Sequence, residues 1–258
     1  EQQDGNIKRP DAVVCEPKHY CVHGIPEGGT NCSPARAGRR EVEGCYLPVF
    51  EAAIKEAGAY NVMVSYNCVD GDVLMASEHY LKEVLKERFA LKGYSRADWH
   101  GVGKVKRDHK LVSTDRGAIK LCINNGLDMK GLDYPNKFWQ ETVSDLIKTG
   151  EIPMERIDDI VRRVLTIKFE LGLFENPYTD EDAWENVIRC DEHRSTALEA
   201  ARKSMTLIKN NGVLPLSEDI KSVAVIGPSS AAQKIGGYSS IPTGYKIPSV
   251  YEKIRELL

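Results

Sequence analysis

Short runs of β-type residues alternate with amphipathic helical patterns through most of this 258-residue chain. The runs cover residues 12–15, 61–65, 93–97 and 126–129, and a helical pattern follows each of them. This order is typical of βα units, which build a parallel sheet, and it predicts an α/β fold. A closed barrel needs eight strands, so four indicate either an open sheet or part of something larger. The chain's end at Leu258, just after one strand and one helix of a second unit, favours the second alternative.

Helix boundaries are marked in the sequence. Ser77 can cap the second helix, and Gly172 can stop the longest one, predicted over about 153–171. Further helices are expected around 115–125 and 136–149. The helix that ends near Gly58 has an apolar face made of Val42, Tyr46, Val49, Phe50, Ala53 and Ile54.

The pattern changes after residue 174. Residues 175–190 are polar and aperiodic, which predicts a linker. Beyond them we expect a helix capped by Asp191, a strand at 223–226 and a final helix near 249–257. The predicted domains are therefore 1–174 and 191–258, joined by that linker.

Composition excludes several functions. The 35 Lys+Arg and 38 Asp+Glu residues give a net charge of -3, which makes no case for nucleic-acid binding. No apolar run is long enough to span a membrane, and no signal peptide is visible, so the compartment stays open. The seven irregularly spaced cysteines are expected to be mostly free, packed thiols.

Polar residues that could carry chemistry follow the predicted strands. Asp98 comes directly after the third strand, where it is either a nucleophile beside Trp99 or a residue that caps a loop. Lys18 and His19 follow the first strand and could both bind a ligand if the chain bends there; otherwise they are a solvated lysine beside a packed histidine. Tyr66 ends the second strand and is either a ligand contact or a core tyrosine.

A metal site is the alternative use of this region. Cys15, His19, Cys21 and His23 are all zinc-ligand types, but their spacing is not that of a usual zinc finger. A metal site is therefore not expected.

Taken together, eight sequence segments resemble glycoside hydrolase family 3, the family of many β-glucosidases and β-xylosidases. They occur in the family's order and are PKHY (17–20), GRREVEGCYLPVFEAAIKEAG (38–58), VMVSYNCVDG (62–71), LKGYSRADW (91–99), NNGLDM (124–129), IDDIVRRVLTIKFELGLFENPY (157–178), and KSMTLIKNNGVLPL with VAVIGP (203–228). The resemblance implies the C-terminal half of a (β/α)8 TIM-type barrel, followed by the first elements of an α/β sandwich domain.

The resemblance also implies roles for single residues. Asp98 matches the family's nucleophile, Tyr66 matches the tyrosine beside it, and Lys18 and His19 match the pair that holds sugar hydroxyls. The implied reaction is retaining exo-hydrolysis of a β-linked glucoside, xyloside or oligosaccharide through a covalent glycosyl-enzyme on Asp98, and this reaction needs neither a metal nor an organic cofactor. We expect this activity to be impaired, because the first four barrel strands and the acid/base residue are not in the chain; the missing half of the barrel could be needed for folding or activity.

Two segments depart from the family pattern. Arg96 stands where the family has an apolar strand residue, which is costly unless the arginine is paired. Thr30 stands where many members have an arginine that contacts sugar. The alternatives left open are a non-catalytic carbohydrate-binding or interaction module, the metal-binding domain described above, and a phosphorylase.

Overall fold

The computed structural model describes residues 6–9, 12–232, 235–239 and 246–257. They form two compact units, divided between Thr179 and Asp180. We describe each unit by itself.

Four chain segments lie side by side and parallel in the first unit. The strands of this unit are β1 (Pro34–Ala35), β2 (Val62–Val64), β3 (Cys68–Val69), β4 (Asp72–Val73) and β5 (Ser95–Ala97). β2 pairs with β5 in parallel, while Tyr20 bridges to Val64 on one side and Met129 bridges to Arg96 on the other. Because all four segments run in one direction, the residues that follow them are brought to a common edge.

The first predicted strand, at residues 12–15, is wrong. Residues 12–15 form no strand. The backbone of β2 instead forms hydrogen bonds with residues 17–20. Met63 donates to the Pro17 carbonyl over 3.2 Å, and the Tyr20 amide donates to the Met63 carbonyl over 2.8 Å. A strand exists only where a partner accepts its hydrogen bonds, and this information is not in the local pattern of residues 12–15. The predicted strands at 61–65 and 93–97 are confirmed by β2 and β5, whereas the run at 126–129 forms no strand and only Met129 pairs, as a single bridge to Arg96.

Helices separate the parallel segments and cover them. In chain order the helices of the first unit are α1 (Arg39–Glu41), a π-helix (Val42–Tyr46), α2 (Leu47–Lys55), a second π-helix (His79–Arg88), α3 (Gly101–Arg107), α4 (Asp115–Asn124), α5 (Asn136–Lys148) and α6 (Met154–Glu170). Single turns of 3-10 helix lie at Glu27–Gly29 and Leu74–Ala76. The predicted cap is confirmed, since the Tyr80 amide donates to the Ser77 hydroxyl over 3.1 Å. Gly172 has φ +70° just after α6, as a C-terminal stop requires.

The π-helical turn changes which side of the first helix is buried. Val49, predicted to face inward, is exposed, whereas Leu47 is fully buried. A π-helical turn holds more residues than an α-helical turn, so the apolar face shifts along the chain after it. Val42, Phe50 and Ile54 are buried as expected.

A small second sheet lies in the loops that follow the first two parallel segments. β1 pairs in parallel with β3, and β3 pairs antiparallel with β4. Its strands are two residues long, too short for a sequence pattern to reveal. The sheet orders the loops next to Tyr66, at the end where the candidate site lies.

The second unit contains α7 (Ala183–Val187), α8 (Asp191–Ser204) and α9 (Val250–Leu257). α7 lies within the predicted linker, and Asp191 begins α8 without capping it. The predicted strand at 223–226 is wrong, because those residues pair with no other described segment and Ile226 is exposed. Among the residues that the structure describes, no helix has the length and apolar character to cross a bilayer.

Candidate active site

Asp98 lies immediately after β5, at the edge where the parallel segments end. The Trp99 amide donates to its Oδ1 over 2.6 Å, and its side chain is 20% exposed. This hydrogen bond fixes one carboxylate oxygen, and the other oxygen, Oδ2, faces His19. Trp99 is 55% exposed and forms an open aromatic surface beside it.

His19 meets Asp98 across the sheet. Its Nε2 lies 3.5 Å from Asp98 Oδ2, and its side chain is 27% exposed. Burial, the neighbouring His23 and the charge of Lys18 lower the pKa of His19, although the charge of Asp98 acts in the opposite direction. At neutral pH this contact is therefore a neutral imidazole beside a carboxylate, and not a charged pair.

Tyr66 lies beside the turn that follows Asp98. Its hydroxyl donates to the Trp99 carbonyl over 2.7 Å. Burial and the adjacent negative charge of Asp98 raise its pKa well above the usual range. The phenol consequently stays protonated at neutral pH, and its proton is donated to the Trp99 carbonyl.

Lys18 is exposed, and its ammonium makes no ion pair or hydrogen bond with any residue that the structure describes. Its charge is nevertheless close enough to contribute to the lowered pKa of His19. The structure thus brings His19, Tyr66 and Asp98 together and leaves Lys18 at their margin with its ammonium available.

A row of contacting polar side chains next to His19 was not predicted from the sequence. The His19 and His23 rings lie 4.6 Å apart between centroids, and His23 Nδ1 lies 2.9 Å from the buried Ser65 hydroxyl. Ser65 donates its only proton to Asn67 Oδ1, so its oxygen accepts from His23 Nδ1. This row of side chains fixes the orientation of the His23 ring against which His19 packs. The pair His23 and Ser65 could not be found from spacing, because 42 positions separate them.

Arg96 and Thr30, the two departures from the family pattern, both have hydrogen-bond partners in the structure. Arg96 Nη2 donates to Glu16 Oε1 over 2.6 Å and its Nε donates over 3.1 Å, so the charge predicted to be costly is paired. The partner is Glu16 and not the nucleophile region, and β5 keeps a regular register with β2. Thr30 bonds within its own turn, to the Glu27 carbonyl and to Ser33.

The metal hypothesis gains no support. Among residues 6–9, 12–232, 235–239 and 246–257, no group of three or more His, Cys, Asp or Glu side chains could hold an ion. Cys21 is fully buried in the apolar core, and burial raises its pKa well above that of an ordinary thiol. It therefore stays protonated, whereas zinc binds the deprotonated thiolate. Cys68 and Cys122 are also free, buried thiols.

A buried ionic network centred on Asp128 is hydrogen-bonded to β5 at Ser95. Asp128 lies 2.6 Å from both Lys86 Nζ and Arg156 Nη2, and it accepts from the Ser95 amide over 2.8 Å. Burial alone would raise the pKa of Asp128, but the two cations lower it. Asp128 is therefore an ionised anchor for β5 and not an acid available to a substrate.

Comparison with known proteins identifies the family. The model named Glycosyl hydrolase family 3 N terminal domain matches residues 3–167, more than half of the chain. The chain belongs to glycoside hydrolase family 3. The relatives of this chain named below are beta-glucosidases and a beta-xylosidase.

This family 3 chain is similar to enzymes of two specificities. It is 34% identical over 241 residues to a lysosomal beta glucosidase of Dictyostelium discoideum, covering 92% of the chain and 29% of that protein. Other similar proteins are beta-xylosidases, one of them from Formosa agariphila. The alignment with the Dictyostelium protein continues beyond residue 167, where the match to the barrel-domain model stops.

Solved structures give the same assignment. A β-glucosidase of Erythrobacter marinus superposes with a TM-score of 0.84 at 29% identity, covering 96% of this chain and 33% of that one. A beta-glucosidase of Listeria innocua in complex with isofagomine gives 0.73 at 28% identity, covering 84% and 30% respectively. The chain thus spans about a third or less of the length of these relatives. The α/β architecture agrees with the family's barrel domain.

Proposed function

We propose that the chain carries the nucleophile half of a retaining exo-hydrolase of β-linked glucosides or xylosides. The observation that carries the proposal is Asp98 at the end of β5, with one oxygen bound by the Trp99 amide and the other 3.5 Å from His19. Family membership supports the class of reaction, and the names of the relatives support the two sugars.

Asp98 attacks in this proposal. Its Oδ2 bonds to the anomeric carbon of the sugar while the bond from that carbon to the leaving oxygen breaks. The leaving oxygen takes a proton from a second carboxyl group, and that group then removes a proton from the water that releases the sugar. The neutral state of His19 suits a group that binds hydroxyls next to the carboxylate, because an imidazolium would hold Asp98 in an ion pair.

Three side chains bind the sugar. His19 and Tyr66 flank the nucleophile: the neutral imidazole can offer a hydrogen bond, and the Tyr66 oxygen, whose proton is donated to the Trp99 carbonyl, can accept one from a sugar hydroxyl. Lys18 has an ammonium with three donors that no described residue occupies. Binding of hydroxyl groups needs such donors, and no metal or organic cofactor enters the reaction.

We propose further that the first unit is the C-terminal half of the barrel and that residues from 191 onward begin an α/β sandwich domain. The row of four parallel segments supports the first part, and the alignment that continues past residue 167 supports the second. α6 exposes Val161, Leu165 and Phe169, apolar side chains that the remaining half of a barrel would cover.

Turnover by this chain alone is expected to be slow. The retaining reaction needs a second carboxyl group about 5–5.5 Å from the nucleophile, and we assign none among the residues described. General acid catalysis is typically worth about 10² to 10⁴-fold. A substrate with an activated leaving group depends least on the acid and is therefore the best probe.

The test is hydrolysis of a nitrophenyl β-glucoside and the matching xyloside by the chain, by Asp98→Asn and by Asp145→Asn. Asp145 is an exposed carboxylate on α5 that pairs with Arg116, which makes it a matched control. We expect the Asp98 variant to lose at least about 10²-fold of the activity and the Asp145 variant to keep it. Equal rates in all three proteins would remove Asp98 from the mechanism. Sugar binding without turnover in the unsubstituted chain would instead support the binding-module alternative, and dependence on added phosphate would reveal a phosphorylase.

A further inference from the structure

One residue of helix α3 and one residue just after it contact Tyr66. The proposed role of Tyr66 in hydrolysis does not explain these contacts. Lys104 Nζ, on α3, lies 4.6 Å from the centre of the Tyr66 ring. His109 Nε2, two residues beyond α3, donates to the Tyr66 carbonyl over 2.7 Å. With its hydroxyl donating to Trp99, Tyr66 is therefore held at its ring face, its hydroxyl and its backbone.

α3 is itself firmly placed. Val102 and Val105 are fully buried, and a methyl group added at Gly101 would come within 2.5 Å of the Met75 side chain. The helix begins three residues after Asp98, so it joins the nucleophile's turn to the loop of Tyr66. A group attached to α3 is thus fixed relative to Asp98.

The ammonium of Lys104 is held near the face of the Tyr66 ring by an ion pair with Asp108. Its side chain is 19% exposed, and Asp108 Oδ2 lies 3.5 Å from its ammonium. Asp108 also pairs with Arg107 and accepts from the Cys32 thiol, which keeps the carboxylate in position. A cation over the face of a tyrosine ring is attracted by the ring's quadrupole, more strongly when both are shielded from water.

We propose that Lys104 and His109 are positioning residues that fix Tyr66 beside Asp98 before a sugar binds. This inference rests on the proposed function, in which Tyr66 contacts the sugar. A side chain that is already in its binding rotamer loses less conformational freedom when the ligand arrives, so the affinity for the ligand rises.

The experiment observes Tyr66 directly, in the full chain labelled with fluorotyrosine. The ¹⁹F resonance of Tyr66 among the 11 tyrosines is assigned by its loss in Tyr66→Phe. We expect Lys104→Met and His109→Ala each to move or broaden this resonance, while the resonances of the buried Tyr20 and of Tyr134 stay. Lys104→Arg keeps a cation over the ring and should restore the position seen in the unsubstituted chain.

Lys106→Met is the matched control. Lys106 lies on α3 and pairs with Asp115 without contacting Tyr66, so its loss should leave the Tyr66 resonance unchanged. Calorimetry with isofagomine should show about 3- to 10-fold weaker binding for Lys104→Met and unchanged binding for Lys106→Met. A Tyr66 resonance that is the same in Lys104→Met and His109→Ala as in the unsubstituted chain would overturn the proposal. If isofagomine does not bind the unsubstituted chain, the proposed function is at fault, while the resonance still decides the positioning role.

Discussion

We expect the free energy of unfolding to depend on pH through His19. Its pKa is lowered from 6.5, mainly by burial and then by His23 and Lys18, so the unfolded chain binds this proton more readily than the folded chain. The free energy of unfolding therefore rises with pH between the lowered value and 6.5, and this contribution is lost on acidification. We predict that urea unfolding at about pH 7.5 and pH 5.5 shows a smaller loss of stability on acidification for His19→Gln than for the unsubstituted chain. The same loss in both proteins would contradict the assignment.

Gly131 packs directly against the backbone of Asp98. A Cβ atom built on it would lie 2.6 Å from the Asp98 carbonyl oxygen, closer than any real contact allows. We predict that Gly131→Ala displaces the Asp98 turn and lowers hydrolysis of a nitrophenyl β-glucoside by at least about tenfold, since small displacements of a reacting group are costly. The control is Gly44→Ala, at a helical glycine with open space around it. Activity retained in Gly131→Ala would show that the turn tolerates movement.

Residue types in sequence revealed only part of the site. Asp98, His19 and Tyr66 were predicted as separate residues that follow strands, and the structure places them together. His23 was considered only as a metal ligand and His109 was not considered, because their partners Ser65 and the Tyr66 carbonyl are more than 40 positions away. Contacts of this kind depend on the fold and leave no spacing in the chain.

Among the elements, β5 depends on the network beneath it. Asp128 is the fully buried anion between Lys86 and Arg156, and its removal would leave these two cations only the partly exposed Asp159 as an ion-pair partner. We predict that Asp128→Asn lowers the free energy of unfolding by about 3–5 kcal/mol, measured by urea unfolding. Asp145→Asn, which breaks the exposed pair with Arg116, should cost less than about 1 kcal/mol. Similar costs for the two variants would mean that the Asp128 network is not a stability element.

Elements with a strong helical period were predicted well, and those defined by pairing were not. α4, α5 and α6 lie where their patterns placed them, whereas residues 12–15 and 223–226 form no strand. A helix satisfies its own hydrogen bonds, but a strand needs a neighbour that the local sequence does not specify. α3 was missed because its seven residues include two glycines and three basic side chains, a weak helical pattern.

For the whole molecule, the central question is whether a row of four parallel segments can present a working nucleophile. Parallel pairing brings Tyr66, which follows β2, and Asp98, which follows β5, to one edge, and His19, just before the Tyr20 bridge, lies against Asp98. The domain boundaries near 174 and 191 stay a prediction, although the compact units divide close by, at Thr179. The second unit's predicted sandwich likewise stays a proposal.

The most direct measurement is covalent labelling with a deoxyfluoro-β-glucosyl fluoride, followed by peptide mass spectrometry. Fluoride leaves without a proton, so the label needs the nucleophile and not the acid that we leave unassigned. We predict one glycosyl adduct, on the peptide that contains Asp98, and its absence in Asp98→Asn. An adduct on a different carboxylate, or none on a chain that binds isofagomine, would contradict the account.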